Sequence, residues 1–136
     1  MQKKLDQKLL RIIDANFNRA KEGLRVCEDI CRFLENRQKL TRKYKSCRHR
    51  LSDIVTELRI NQVIHSRDVN GDVGKGSLNT ELRRRDVEDI FYANSQRVKE
   101  SIRVLEEFSK LLKPALAQKL KQLRYGVYVL EREWCG

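Results

Sequence analysis

The chain contains few of the residues that interrupt helices. Its 136 residues include one proline and six glycines. Loop-rich and disordered chains are rich in proline and glycine, so the composition argues against both and favours helices. No apolar run approaches the ~20 residues of a membrane span, and residues 1–6 lack the apolar core of a signal peptide. We therefore expect one helical domain, cytoplasmic and without a membrane partner.

The chain has four cysteines, Cys27, Cys31, Cys47 and Cys135. Cys27 and Cys31 are four residues apart, which places them on one face of a helix, and zinc sites more often show C-x-x-C or histidine-containing spacings. We expect these two to be small, reduced core residues and assign no role to Cys135 at the C-terminus.

Acidic residues are outnumbered: 30 lysines and arginines face 19 acids, for a net charge of +11. Such an excess favours anionic partners, among them nucleic acid, phosphorylated metabolites and acidic proteins. It is equally explained by cations that cover solvated helix faces. Because the cations are spread over several segments without a known nucleic-acid motif, a nucleic-acid partner is the weaker interpretation.

The chain contains an internal sequence repeat. Residues 15–28 return 78 positions later as residues 93–106, and the matches include polar residues at the same spacing. The matched polar pairs are Asn16 and Asn94, Arg19 and Arg97, Lys21 and Lys99, Glu22 and Glu100, Arg25 and Arg103, and Glu28 and Glu106. Further matches, 76 positions apart, pair Leu40, Lys43, Lys45 and Arg48 with Leu116, Lys119, Lys121 and Arg124. The repeated unit is therefore longer than one helix.

Apolar residues recur at helical spacing in four segments, about 9–34, 39–58, 86–112 and 114–134. Asn36 could end the first helix, Asp86 is a candidate N-cap with Asp89 near the same helix start, and Pro114 suits a first helical turn. We predict an all-α fold of four long helices, formed by two repeated hairpins about a pseudo-two-fold axis. Repeat one spans about 9–59, a glycine-rich loop about 60–85, and repeat two about 86–134, all within one domain, 1–136.

A helical wheel places Asn16 on the apolar stripe, with Arg19 and Glu22 beside it, and the second copy repeats this arrangement. Two interpretations remain open: an internal polar network, or a cleft between the repeats that binds a phosphate and a heterocycle. The second makes Asn16, Arg19, Glu22, Asn94, Arg97 and Glu100 candidate substrate-binding residues. Arg25 and Glu28, with their repeats Arg103 and Glu106, are predicted to point away from the stripe and to pair on the helix surface.

The central loop is a candidate phosphate site. Gly71, Gly74, Lys75 and Gly76 could form an anion nest, although their spacing is not that of a P-loop. Asp68 and Asp72 could hold Mg²⁺, and Asp72 with Lys75 are the candidate catalytic residues. A plain flexible linker is the alternative.

The segment 11–29 resembles the opening of a helical domain that is fused ahead of thiamine-phosphate synthase in some bacteria. Residues 67–68, 71–74, 93–108 and 123–125 resemble later parts of that domain. The resemblance implies thiamine biosynthesis, with phosphorylation of hydroxymethylpyrimidine phosphate by ATP in the presence of Mg²⁺.

The fused synthase is a barrel that needs about 200 further residues. We therefore expect this chain not to perform the synthase reaction alone. A separate synthase is a candidate partner, and a homodimer remains possible as an expectation. The alternatives are a non-catalytic module that binds a ligand or docks onto a synthase, and a basic nucleic-acid binder.

Overall fold

The computed structural model describes residues 2–58 and 83–136, and side chains from residue 4 onward. Helix α1 spans Gln2–Asp29 and runs into a π-helical turn, Ile30–Leu34. Helix α2 spans Gln38–Glu57, α3 spans Val87–Leu112 and α4 spans Pro114–Cys135. The described ranges contain no strand, and none of their helices is long and apolar enough to cross a membrane. The prediction of an all-α fold with four long helices is confirmed.

The helix ends follow local side-chain chemistry. The carboxylate of Asp86 accepts a hydrogen bond from the backbone N–H of Asp89 at 2.8 Å, and Asp89 in turn accepts from the N–H of Arg85 at 3.2 Å. This reciprocal arrangement satisfies N–H groups that have no partner inside the helix. Pro114 occupies the start of α4, and Asn36, just beyond the π-helical turn, has a left-handed φ of 52°. The predicted N-cap and first-turn proline are confirmed, whereas α1 begins at Gln2 rather than near Leu9.

The four helices form a bundle in which α1 and α4 each pack against both α2 and α3. Cys27 on α1 approaches the carbonyl of Phe91 on α3, and Gly23 lies against Asn94, so the two helices are antiparallel. Helices α2 and α3 consequently run in the same direction at diagonal positions. Leu58 and Arg83 therefore lie at opposite ends of the bundle, which explains why the two hairpins are joined by a long stretch of chain.

The core takes apolar side chains from every helix, with Tyr44 and Phe91 the largest that are fully buried. At one end of the bundle Trp134 stacks on Phe91 with ring centroids 3.7 Å apart, and its indole N–H donates to Glu35 at 2.8 Å. Arg37 donates to the backbone carbonyls of Glu133 and Trp134 at 3.2 and 3.0 Å. A guanidinium at the last carbonyls of a helix complements its dipole. These contacts hold the α1–α2 turn against the end of α4.

The cysteines are free. Cys27, Cys31 and Cys47 are buried, and Cys135 is exposed. Burial raises the pKa of Cys27 and of Cys47 to about 12, and that of Cys31 to about 11. The expectation that Cys27 and Cys31 are reduced core residues is confirmed, and Cys47 joins them.

Candidate functional site

The two matched asparagines make the same local contact. Asn16 donates from Nδ2 to the carbonyl of Ile12 at 2.9 Å, and Asn94 donates to the carbonyl of Ile90 at 2.8 Å. Asn16 is buried at 5% exposure, whereas Asn94 is half-buried. Each amide uses one N–H on its own helix; in the described ranges Asn94 makes no further side-chain hydrogen bond, whereas the side-chain carbonyl oxygen of Asn16 also accepts from Arg19.

Arg19 and Arg97 are both exposed, but their surroundings differ. Arg19 donates from Nη1 to Oδ1 of Asn16 at 3.5 Å, the long limit for such a bond. Arg97 makes no hydrogen bond or ion pair with any residue of the described ranges. Only the first copy therefore links its buried amide to an exposed guanidinium.

Glu22 and Glu100, the matched acids, are exposed on the outer sides of α1 and α3. Glu100 accepts from Gln96 one turn away at 3.0 Å. In the parts of the chain that the structure describes, neither acid pairs with Arg19 or Arg97. Their proposed part in substrate binding stays a prediction.

Helices α1 and α3 approach each other closely at Gly23. A Cβ at this position would lie 2.6 Å from Cγ2 of Val98 and 3.0 Å from the carbonyl oxygen of Asn94. Asn94 is therefore beside Gly23, which is seven residues along α1 from Asn16, roughly 10 Å at the rise of an α-helix. Asn16 and Asn94 therefore lie at the same interface between α1 and α3, but at different positions along it, and they do not contact each other.

The matched arginine and glutamate pairs farther along each helix form equivalent networks. The Glu28 carboxylate accepts from Nε of Arg48 at 3.0 Å, and Arg25 lies 3.7 Å from it. In the second copy, Glu106 pairs with Arg124 at 3.3 Å and with Arg103 at 3.0 Å. The prediction of surface pairs that point away from the stripe is wrong in one respect: Glu28 and Glu106 are only 2% and 3% exposed. Arginines from the partner helices, Arg48 and Arg124, cover both carboxylates, which makes their burial tolerable.

A further polar cluster exists in the second copy alone. Lys99 lies 2.6 Å from Glu131, whose carboxylate also accepts from Ser95 at 3.0 Å. The ammonium group of Lys99 is 4.5 Å from the ring centroid of Tyr128. Its first-copy equivalent, Lys21, is exposed and lies over the ring of Phe17 instead. Sequence reasoning missed this cluster, although a lysine on the buried face of α3 was the available signal.

Asp14 is a second residue that sequence reasoning missed. It is buried at 3% exposure and accepts from the side chain of Asn18 at 3.3 Å. It stands two residues before Asn16 on α1, so the first copy concentrates a buried carboxylate, a buried amide and an exposed guanidinium within six residues. An acid inside an otherwise helical apolar segment was the signal.

The predicted loop residues Asp68, Gly71, Asp72, Gly74, Lys75 and Gly76 lie outside the described residues. Their phosphate, metal and catalytic roles stay predictions. Within residues 4–58 and 83–136, no group of three or more histidine, cysteine or acidic side chains could hold a metal ion.

Comparison with known proteins identifies the family of this chain. The model of the ThiD2 family matches residues 11–133, which include the matched segments 15–28 and 93–106 and the networks around Glu28, Glu106 and Lys99. The chain belongs to the ThiD2 family. This family model covers the asparagines, the arginines and the central segment alike.

Three curated relatives illustrate the similarity of this ThiD2 chain to longer proteins. It is 42% identical over 134 residues to a thiamine-phosphate synthase of Nostoc punctiforme, covering 97% of this chain and 37% of that protein. It is 44% identical over 139 residues to one of Synechocystis, covering 100% and 39%, and 39% identical over 126 residues to one of Rhodopirellula baltica, covering 92% and 34%. The chain thus spans less than two fifths of the relatives' length. No solved structure matches it significantly.

Proposed function

We propose that this ThiD2 chain acts in thiamine biosynthesis and phosphorylates hydroxymethylpyrimidine phosphate to the diphosphate, with ATP as the phosphoryl donor. Membership of the family and similarity to proteins named thiamine-phosphate synthase support the pathway. The kinase reaction is the more specific part of the proposal. It rests on the resemblance of residues 11–29 and on the chemistry of the side chains below.

The Asn16–Arg19 pair is the observation that carries the proposal. It joins a buried amide to an exposed guanidinium. A phosphorylated aminopyrimidine has the complementary layout, with a flat hydrogen-bonding ring at one end and a dianion at the other. The amide of Asn16 would read the ring edge, and Arg19 would bind the phosphate, for which a planar guanidinium is well suited.

The matched arginines divide into two groups. Arg25 and Arg103 are committed to buried glutamates, whereas Arg19 and Arg97 pair with no carboxylate of the described ranges. Cations without an acidic partner are the ones available to bind phosphate. In the proposal Arg19 takes the phosphate of the pyrimidine substrate, and Arg97 remains the candidate for a phosphate of the nucleotide.

Phosphoryl transfer depends mainly on positioning and charge neutralisation, and a divalent cation would supply part of the charge neutralisation. Asp68 and Asp72 are the candidates to hold Mg²⁺, and Lys75 with Gly71, Gly74 and Gly76 to cover the transferred group. These six residues lie outside the described ranges, so no step is assigned to the metal.

A coupled assay tests the proposal directly. Purified protein is mixed with hydroxymethylpyrimidine phosphate and ATP over a range of Mg²⁺ concentrations, and formation of ADP and the pyrimidine diphosphate is followed. We expect ADP and the pyrimidine diphosphate to form in equal amounts. No turnover at any Mg²⁺ concentration rejects the kinase.

A non-catalytic ligand-binding or docking module is the second candidate. Its support comes from the three relatives described above, in each of which the matched part is only 34–39% of a longer protein named thiamine-phosphate synthase. A rise in melting temperature with the pyrimidine phosphate, without ATP consumption, would support this module over the kinase.

A further inference from the structure

The turn between α1 and α2 borders an open surface cavity of about 370 Å³, within the size range of small-molecule sites. Its lining residues are Arg32, Asn36, Gln38, Thr41 and Arg42. Two of the five are cations, three carry hydrogen-bonding side chains, and none is acidic. This composition suits an anion rather than an apolar ligand.

Arg32 and Arg42 have no carboxylate partner among the described residues, because the nearby acids pair with other groups. Arg37 and Lys43, two further cations close to this turn, are bound to Trp134 and Glu133 at the end of α4. Glu35 accepts from Trp134 and lies 3.9 Å from Arg37. In the described parts of the chain, neither Arg32 nor Arg42 forms an ion pair; Arg32 instead lies 4.8 Å from the ring centroid of Phe33.

The start of α2 adds to the positive character of the cavity, since backbone N–H groups are free at the N-terminus of a helix. The N-cap of α2, Arg37, makes no side-chain cap hydrogen bond, and the first turn of α2 contains no acid. The π-helical turn carries Arg32, and Asn36 has a left-handed backbone. π-helical turns inside helices are rare and frequently occur at functional sites.

We infer that this cavity is a second anion site, which binds a phosphate-bearing ligand through Arg32 and Arg42. It is separate from the proposed substrate site, because Arg32, in the π-helical turn that continues α1, is sixteen residues beyond Asn16, roughly 24 Å at the α-helical rise. The side-chain amides of Asn36 and Gln38 and the hydroxyl of Thr41 supply hydrogen bonds to the rest of the ligand. The inference does not depend on the kinase reaction.

Calorimetric titration with inorganic phosphate, at constant ionic strength and without ATP, tests the site. The double variant Arg32→Gln/Arg42→Gln is compared with Lys45→Gln/Arg50→Gln, which removes two exposed cations of α2 that do not line the cavity. We expect the Kd for phosphate to rise about tenfold or more in the first variant, because charge-assisted hydrogen bonds are lost, and less than about twofold in the control. Unchanged circular dichroism spectra establish that both variants fold.

Three results would overturn the inference: no phosphate binding by the unaltered protein, equal weakening in the two double variants, or weakening in Arg19→Gln but not in Arg32→Gln/Arg42→Gln. Titrations with ATP and with hydroxymethylpyrimidine phosphate then identify the source of the phosphate. The ligand whose Kd rises in the cavity variant is the one bound there; a rise for inorganic phosphate alone assigns the site to the free ion. Because none of these measurements requires turnover, failure of the kinase assay leaves their outcome unaffected.

Discussion

Arg48 donates from Nε to the carboxylate of Glu28 at 3.0 Å, across the interface between α1 and α2, and both side chains are largely buried. The second hairpin repeats this contact with Arg124 and Glu106. Each hairpin therefore contains one interhelical ion pair at matched positions. These two matched pairs, Glu28 with Arg48 and Glu106 with Arg124, therefore stabilise the hairpins and are not counted as ligand-binding residues.

The buried glutamates are predicted to be essential for stability. Glu28→Gln removes the charge that balances Arg48, and we expect the free energy of unfolding to fall by about 2–4 kcal/mol, since a buried cation is left without its partner. Glu106→Gln should cost a similar amount. Urea denaturation measures both, with exposed Glu100→Gln as the control, which should change stability by less than about 0.5 kcal/mol. A loss under 1 kcal/mol for Glu28→Gln would contradict its structural role.

Gly23 and Gly126 provide a matched pair of helical glycines. Gly23→Ala places a methyl group 2.6 Å from Val98 and 3.0 Å from the Asn94 carbonyl, and we expect a destabilisation of about 1–3 kcal/mol. Gly126 has no neighbour within 4 Å of an added Cβ, so Gly126→Ala should stabilise the protein by about 0.5–1 kcal/mol through helix propensity. Thermal unfolding compares the two. Stabilisation by both would show that α1 and α3 do not approach as closely as described.

Thiol labelling reports on the core. Cys135 is exposed, whereas burial raises the pKa of Cys27, Cys31 and Cys47 to about 11–12 and keeps them protonated. At pH 8 we expect a thiol reagent to label one cysteine of the native protein rapidly and four of the unfolded protein, because the thiolate is the reactive form. Cys135→Ser should abolish the rapid phase. Rapid labelling of two or more native thiols would contradict the packing of α1 on α2.

The same thiols predict a loss of stability in alkali. Their pKa lies near 9 in the unfolded chain and near 11–12 in the folded protein, so above pH 9 the unfolded state releases protons that the native state retains. The stabilisation is complete below pH 9 and is lost as the pH rises toward 12. Urea midpoints measured from pH 8 to 10.5 should decline, and Cys47→Ala should decline less steeply. A flat profile for the unaltered protein would refute the burial of these groups.

Much of the fold could be predicted from the sequence because its signals are local. The helical period located all four helices, and Asp86 and Pro114 marked two of their starts, since capping and proline geometry depend on near neighbours. The pattern does not show how helices pair. The burial of Glu28 depends on Arg48 arriving from α2, and that of Lys99 on Glu131 arriving from α4.

Prediction of the candidate site from the sequence was less complete. The wheel placed Asn16 on the buried stripe, and the structure buries it. The difference between the two copies could not be predicted, because a repeated motif predicts equivalent contacts in both copies. In the structure only the first copy has the contact, between Arg19 and Asn16. The cavity around Arg32 and Arg42 was also missed, because a π-helical turn interrupts the regular period on which a wheel depends.

Steady-state kinetics of two matched variants test the central claim that the Asn16–Arg19 pair holds the phosphorylated pyrimidine. Arg19→Gln should lower kcat/KM for hydroxymethylpyrimidine phosphate by about tenfold or more, because a charge-assisted contact to the substrate phosphate is lost. Its repeat equivalent, Arg97→Gln, should leave the KM for that substrate within about threefold. Unaltered kcat/KM in Arg19→Gln, or an equal loss for this substrate in Arg97→Gln, would contradict the assignment.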